Sequence, residues 1–260
     1  MMSSRFVLRL CLTLAWVGSL AAADDPFVGK WKFNSAQSKL TGVREVIQDL
    51  GGNKYKFSFG TDSWTIVGDG TDQPFKYGGT MSWKETGPNA WTSVHKIDGK
   101  IESTATSTLS EVGKVLTQTA TGTRPDGSSY TSDFKAKRVG PGKGLFGTWE
   151  STEAKADSYP EWDIAPYGAD GLSFSTPAYK EKQDMKFDGK YYPDEGPNVA
   201  AGSTSSAKRV NARTIEWTDK LKDQVMDHQQ LKVSEDGKTL TLFIRYPGEK
   251  MPQTLVYERQ

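Results

Sequence analysis

The sequence predicts an all-β chain folded as two tandem antiparallel up-and-down barrels of about eight strands each. Three observations predict it. Segments of the first half reappear in the second, in the same order and at matching spacing. Within each copy, short stretches alternate polar and apolar residues, the two-residue period of a half-buried strand. Turn-forming pairs interrupt these stretches roughly every eight to twelve residues, and no helical period persists between them.

The repeat sets the domain organisation. Phe27-Val28-Gly29-Lys30-Trp31 is echoed by Leu145-Phe146-Gly147-Thr148-Trp149, and Ser110-Glu111-Val112-Gly113-Lys114 by Ser234-Glu235-Asp236-Gly237-Lys238. Holding the second match fixed sets Trp91 against Ile215, Ile97 against Leu221 and Ile101 against Val225. Both copies close on a basic residue, Arg138 and Arg259. A Gly/Pro-rich stretch between them, Val139-Gly140-Pro141-Gly142-Lys143-Gly144, suits a linker. The expected domains are therefore 24–139 and 146–260, joined by 140–145.

Strand character is clearest in Lys54-Tyr55-Lys56-Phe57-Ser58-Phe59 and in Thr239 to Ile244, where Leu240, Leu242 and Ile244 share one face. Turns are marked by Gly51-Gly52-Asn53, Asp98-Gly99, Asp126-Gly127, Asp188-Gly189 and Asp236-Gly237.

Residues 1–23 have the layout of a secretory signal peptide. Arg5 and Arg9 precede an apolar run from Leu10 to Leu20, and Ala21-Ala22-Ala23 offers a cleavage site before Asp24. Cys11 lies inside this segment, with Arg9 where a lipoprotein site would need a small or apolar residue; it is the only cysteine, so the mature chain has neither disulfide nor thiol chemistry. No later segment is apolar enough to span a bilayer. Removing Arg5 and Arg9 from 33 basic residues leaves 31 against 32 acidic, a net of about −1. That balance disfavours nucleic acid and anionic membrane as partners. A periplasmic or secreted location follows.

Gly29, Trp31 and Arg138 in the first copy, and Gly147, Trp149 and Arg259 in the second, form a pattern that resembles the lipocalin and wider calycin signature. Lys137 is a fallback for Arg138. The resemblance implies a Trp that plugs the closed barrel end, with the basic residue of the last strand packed across its indole. More narrowly, Gly29-Lys30-Trp31-Lys32-Phe33-Asn34 is similar to the opening of a group of short exported bacterial proteins. The second copy departs there, carrying Glu150-Ser151-Thr152. The resemblance implies the fold and small-molecule binding, without specifying a ligand.

Ile101, Ser103, Ala105, Ser107 and Leu109 alternate onto one strand face, with Glu102, Thr104, Thr106 and Thr108 opposite, toward solvent. If the first face points inward, its small residues leave room for a ligand, and Trp91, Ser103 and Ala105 become the candidate binding residues. No catalytic or metal-ligating constellation is legible. His95 and His228 do not align between copies, no nucleophile elbow, P-loop or HExxH is present, and no cofactor is implied. The reading is a non-enzymatic binder of a small apolar or amphipathic ligand. Two alternatives are a structural or interaction module with solid barrels, and a hydrolase of carbohydrate or lipid using Glu161 and Asp163.

Overall fold

The structure, a computed structural model, describes residues 25–157, 159–249 and 252–260; the signal segment at 1–23 lies outside them. The described residues contain twenty strands and no helix. They form two nearly closed ten-stranded antiparallel sheets, so each barrel has two strands more than the expected eight.

The first barrel contains β2 (Arg44–Asp49), β3 (Lys54–Phe59), β4 (Asp62–Val67), β5 (Gln73–Pro74), β6 (Thr80–Gly87), β7 (Ala90–Ile97), β8 (Lys100–Leu109), β9 (Val115–Thr123), β10 (Ser129–Arg138) and β11 (Gly147–Ala156). The second contains β1 (Gly29–Phe33), β12 (Trp162–Tyr167), β13 (Gly171–Thr176), β14 (Glu181–Lys186), β15 (Tyr191–Pro193), β16 (Ser203–Asn211), β17 (Thr214–Leu221), β18 (Gln224–Val233), β19 (Thr239–Arg245) and β20 (Gln253–Arg259). Isolated bridges, Asp69 to Lys84 in the first and Lys182 to Glu195 in the second, draw the sheet edges together.

The copies have exchanged their opening strands. β11 lies between β10 and β2, whereas β1 lies between β20 and β12. The first barrel is thus one continuous stretch from β2 to β11, inserted between the first two strands of the second. This corrects the boundary read from the sequence: 140–145 joins neighbouring strands of one barrel, and the chain crosses between barrels at 34–43 and 157–161. Both opening strands carry the same Gly-x-Trp frame, so either fits beside either closing strand.

Local rules hold within this topology. Asp98 and Gly99 have φ of 49° and 74°, the left-handed pair that a two-residue hairpin between β7 and β8 requires. In β19 the buried residues are Leu240, Leu242 and Ile244. The barrels touch through Phe59 and Tyr246, whose rings lie 4.7 Å apart edge-on, and through Thr61 N–H donating to Pro247 O at 2.8 Å.

Candidate functional site

Each barrel is stoppered by a buried indole, and the strand exchange crosses the pairs. Arg259 lies over Trp31, and Arg138 over Trp149, each with its guanidinium carbon 4.2 Å from the ring centroid. The within-copy pairing expected from the sequence is corrected accordingly. Trp31 donates to Phe27 O and Trp149 to Leu145 O, both at 2.8 Å. Each arginine Nε reaches the turn glycine of its own copy: Arg259 to Gly237 O at 2.6 Å, and Arg138 to Gly113 O at 2.9 Å. The glycines of the frame are forced by this packing. Gly29 and Gly147 have φ of 137° and 143°, and a Cβ at either would sit 2.5 Å from an arginine Nη1. Lys137 instead makes an exposed ion pair with Glu150.

In the first barrel, Trp91 stands opposite Ser107, Ser93 opposite Ala105, and His95 opposite Ser103. Trp91 and Ser107 are buried, while Ser103 and Ala105 are half-buried. The register then slips between His95 and Lys96, so that Lys96 faces Ile101 and Glu102 has no opposite residue. Two sequence assignments change with that bulge. Ile101 is 61% exposed rather than inward, and Glu102 turns from the solvent side to meet His95 Nδ1 at 3.2 Å and the Tyr130 hydroxyl at 3.1 Å. His95 Nε2 lies 2.9 Å from Gly78 O. The hydrogen bond that His95 donates to the Glu102 carboxylate holds the imidazole above its usual range.

A half-open pocket of about 220 Å³ lies nearer the Trp149 plug, walled by Val43, Glu45, Phe59, Leu116, Gln118, Phe134, Lys135, Ala136, Trp149 and Ser151. Trp91, Ser103 and Ala105 are not in its wall. Gln118 connects the two regions by donating to Ser107 Oγ at 3.2 Å. Register explains the space. Arg138, Trp149 and Glu45 lie side by side on β10, β11 and β2, as Arg259, Trp31 and Trp162 do on β20, β1 and β12. Continuing outward, Ala136 corresponds to Tyr257, Ser151 to Phe33, and Gln118 to Leu242. The second barrel fills the volume: Tyr257 packs 5.5 Å from Phe33 and 5.6 Å from Trp162, centroid to centroid. The first barrel has shorter or polar side chains at all four places.

Glu45 is the chemically unusual member. Its side chain is half-buried, partial burial pushes its pKa up to about 7, and no hydrogen bond or ion pair to it is seen among the described residues. Its remaining accessible surface is that of a cavity wall. Sequence reasoning passed over it. The available signal was the alternation Val43, Glu45, Ile47, which sets an acid where Trp162 precedes Ile164 in the second copy.

The second barrel holds a polar cluster at its other end. Ser205 Oγ lies 2.7 Å from Asp194 Oδ1 and 2.6 Å from Asp219 Oδ1, Trp217 Nε1 donates to Asp219, and Gln229 Nε2 reaches Asp219 at 2.9 Å and Asp227 at 3.0 Å. Burial raises all three carboxyls. The network satisfies itself internally, which is structural rather than receptive behaviour. Among the described residues, no three His, Cys, Asp or Glu side chains are grouped to hold a metal ion, and no helix is long and apolar enough to cross a membrane. Glu161 is exposed and 3.9 Å from Lys32. No protein-family model, curated protein or solved structure matches this chain.

Proposed function

We propose that this is an exported, non-enzymatic protein that holds a small apolar or amphipathic molecule in its first barrel, with the second barrel acting as a packed support. One observation carries the reading: beside its stopper the first barrel has a half-open pocket with aromatic and aliphatic walls, at the place the second barrel fills with Tyr257, Phe33 and Trp162. A concave, largely apolar pocket with a few polar groups is the usual form of a small-molecule site. The lipocalin-like Gly-x-Trp frame supports the same reading as a resemblance. The filled second barrel favours the solid-module alternative for that half alone.

Native mass spectrometry of protein purified from its own compartment should show a bound small molecule and an N-terminus at Asp24. Tryptophan emission should respond when small apolar compounds are titrated, because Trp149 forms part of the wall. If neither a bound species nor an emission change is found across a broad metabolite panel, the binding reading is lost.

A further inference from the structure

We infer that the first-barrel pocket takes one neutral aromatic ring bearing a hydroxyl group, seated over Ala136 as the Tyr257 side chain is seated in the second barrel. This rests on the binding reading above and gives it a ligand chemistry.

The protein carries its own template for the occupant. Arg138, Trp149 and Glu45 form the same row as Arg259, Trp31 and Trp162, so the next inward positions correspond: Ala136 to Tyr257, and Leu116 to Leu240. At that position the second barrel buries a phenol ring, set edge-on to Phe33 and tilted against Trp162. The first barrel retains the leucine and the stopper indole but ends the side chain at a methyl group. Ring neighbours are still present, now from other positions. Phe59 stands opposite Glu45 on β3, and Phe134 holds the place of Leu255 on the closing strand. Both belong to the pocket wall, as Trp149 does, and offer a guest ring the edge-on or offset contacts that Tyr257 has. Size agrees: a cavity of about 150 Å³ accommodates benzene, so about 220 Å³ suits one ring with a short substituent.

The hydroxyl group follows from what surrounds the seat. Phe33, Trp162 and Leu242 correspond to Ser151, Glu45 and Gln118, so three apolar neighbours of the ring become polar. Ser151 Oγ is engaged, accepting the Val43 N–H at 3.0 Å, and Gln118 gives its amide N–H to Ser107 Oγ at 3.2 Å. The Glu45 carboxylate and the Gln118 carbonyl oxygen take no hydrogen bond that is seen among the described residues, and both are acceptors. A guest with an O–H donor answers them, whereas a bare hydrocarbon would cover them unpaired. Lys135, 2.8 Å from Glu153, lies in the same wall as Glu45, so the pocket presents both signs of charge and favours neither a cationic nor an anionic guest.

The test titrates the full mature chain by calorimetry at pH 7 with probes of nearly one size. p-Cresol is the tyrosine side chain itself; toluene lacks the hydroxyl group, 4-methylcyclohexanol lacks the aromatic ring, and p-methylbenzylamine and p-toluate are charged. p-Cresol should bind at least about tenfold more tightly than toluene or 4-methylcyclohexanol, and more tightly than either charged probe. Its ring protons should show nuclear Overhauser contacts to the Ala136 methyl group, which locates the ring without any substitution. Ala136→Phe, which places a ring in the seat covalently, should abolish p-cresol binding; if that variant folds poorly, the wild-type ranking and the Ala136 contact decide. Toluene, 4-methylcyclohexanol or a charged probe matching p-cresol, contacts that avoid Ala136, or binding that survives in folded Ala136→Phe would each overturn the phenol assignment. A different probe bound at Ala136 would still leave the pocket as a binding site. If neither these probes nor the broad metabolite panel binds, the assignment and the binding reading fall together.

Discussion

The two barrels share a frame and differ in how they fill it. The Trp–Arg stopper, the glycine beneath it and the turn glycine that receives the arginine are common to both. So is the register slip, after His95 in β7 and after Asp219 in β17. Their contents run in opposite directions. Near the stopper, the first barrel has Glu45, Ala136 and Gln118 where the second has Trp162, Tyr257 and Leu242. Toward the far end the order inverts. Trp83 faces Ser93 in the first barrel, and Ala207 faces Trp217 in the second, so one cross-strand pair keeps its large and small members on opposite strands. Around it the first barrel stacks Phe57 on Trp64 and sets Trp83 edge-on to Phe57, while the second gathers Asp219, Asp227 and Ser205. The lesson is that backbone and stopper specify the cylinder, while the interior is free to diverge in both volume and polarity.

The sharpest way to break the comparison is to cut the chain. A fragment spanning β2 to β11 contains every strand of the first barrel and its stopper, so it should fold alone, with an emission spectrum typical of buried tryptophan. The fragment 24–139, the first sequence copy, lacks β11 and Trp149 and should remain largely unfolded. Folding of the second fragment in preference to the first would refute the strand exchange. Next in size are the stoppers. Trp31→Ala and Trp149→Ala should each cost about 3–5 kcal/mol. Hydrogen exchange should locate the damage across the copies: Trp31→Ala loosens β12 and β20, and Trp149→Ala loosens β2 and β10. A loss under about 1 kcal/mol would mean the indole is not a buried stopper.

Strands, turns and the six stopper residues were legible because each follows from short-range chemistry. Asp98-Gly99 can only turn, and Leu240, Leu242 and Ile244 can only face one way. The exchange was not legible, since both opening strands carry the same frame and match both closing strands. Glu102 and Ile101 were misplaced for a related reason: one bulged residue reverses the inward and outward faces beyond it, and composition carries no mark of a bulge. Glu45 escaped because its partner in meaning, Trp162, becomes its structural counterpart only once the crossed strands are aligned.

Glu45 also separates the barrels by pH. Below about pH 4.5 it is protonated in both the folded and unfolded chain and carries no charge penalty. Above about 7 it is ionised in both, and only the folded state bears the burial of the charge. Its contribution to stability is therefore intact in acid and lost as the pH rises between those values, by up to about 3 kcal/mol. Asp194, Asp219 and Asp227 are raised in the same direction, so the whole protein should be most stable in mild acid. The difference between wild type and Glu45→Gln isolates the one residue. Urea midpoints should coincide at pH 4 and favour the variant by about 2–3 kcal/mol at pH 8. A constant difference at both pH values would mean Glu45 is solvated in the folded state.

The smallest effect tests the space itself. Ala136 occupies the place that Tyr257 holds in the second barrel, where a large inward side chain is accommodated. Ala136→Leu adds apolar atoms to the cavity wall opposite Leu116 and displaces nothing the fold depends on. It should stabilise the protein by about 1–2 kcal/mol in urea unfolding and abolish binding of any probe that Trp149 emission detects. Stabilisation with binding retained would move the ligand toward Trp91, Ser103 and Ala105, where the sequence reading first put it. Destabilisation would show that the volume beside Ala136 is already occupied in solution, and the contrast between the barrels would then be one of polarity rather than room.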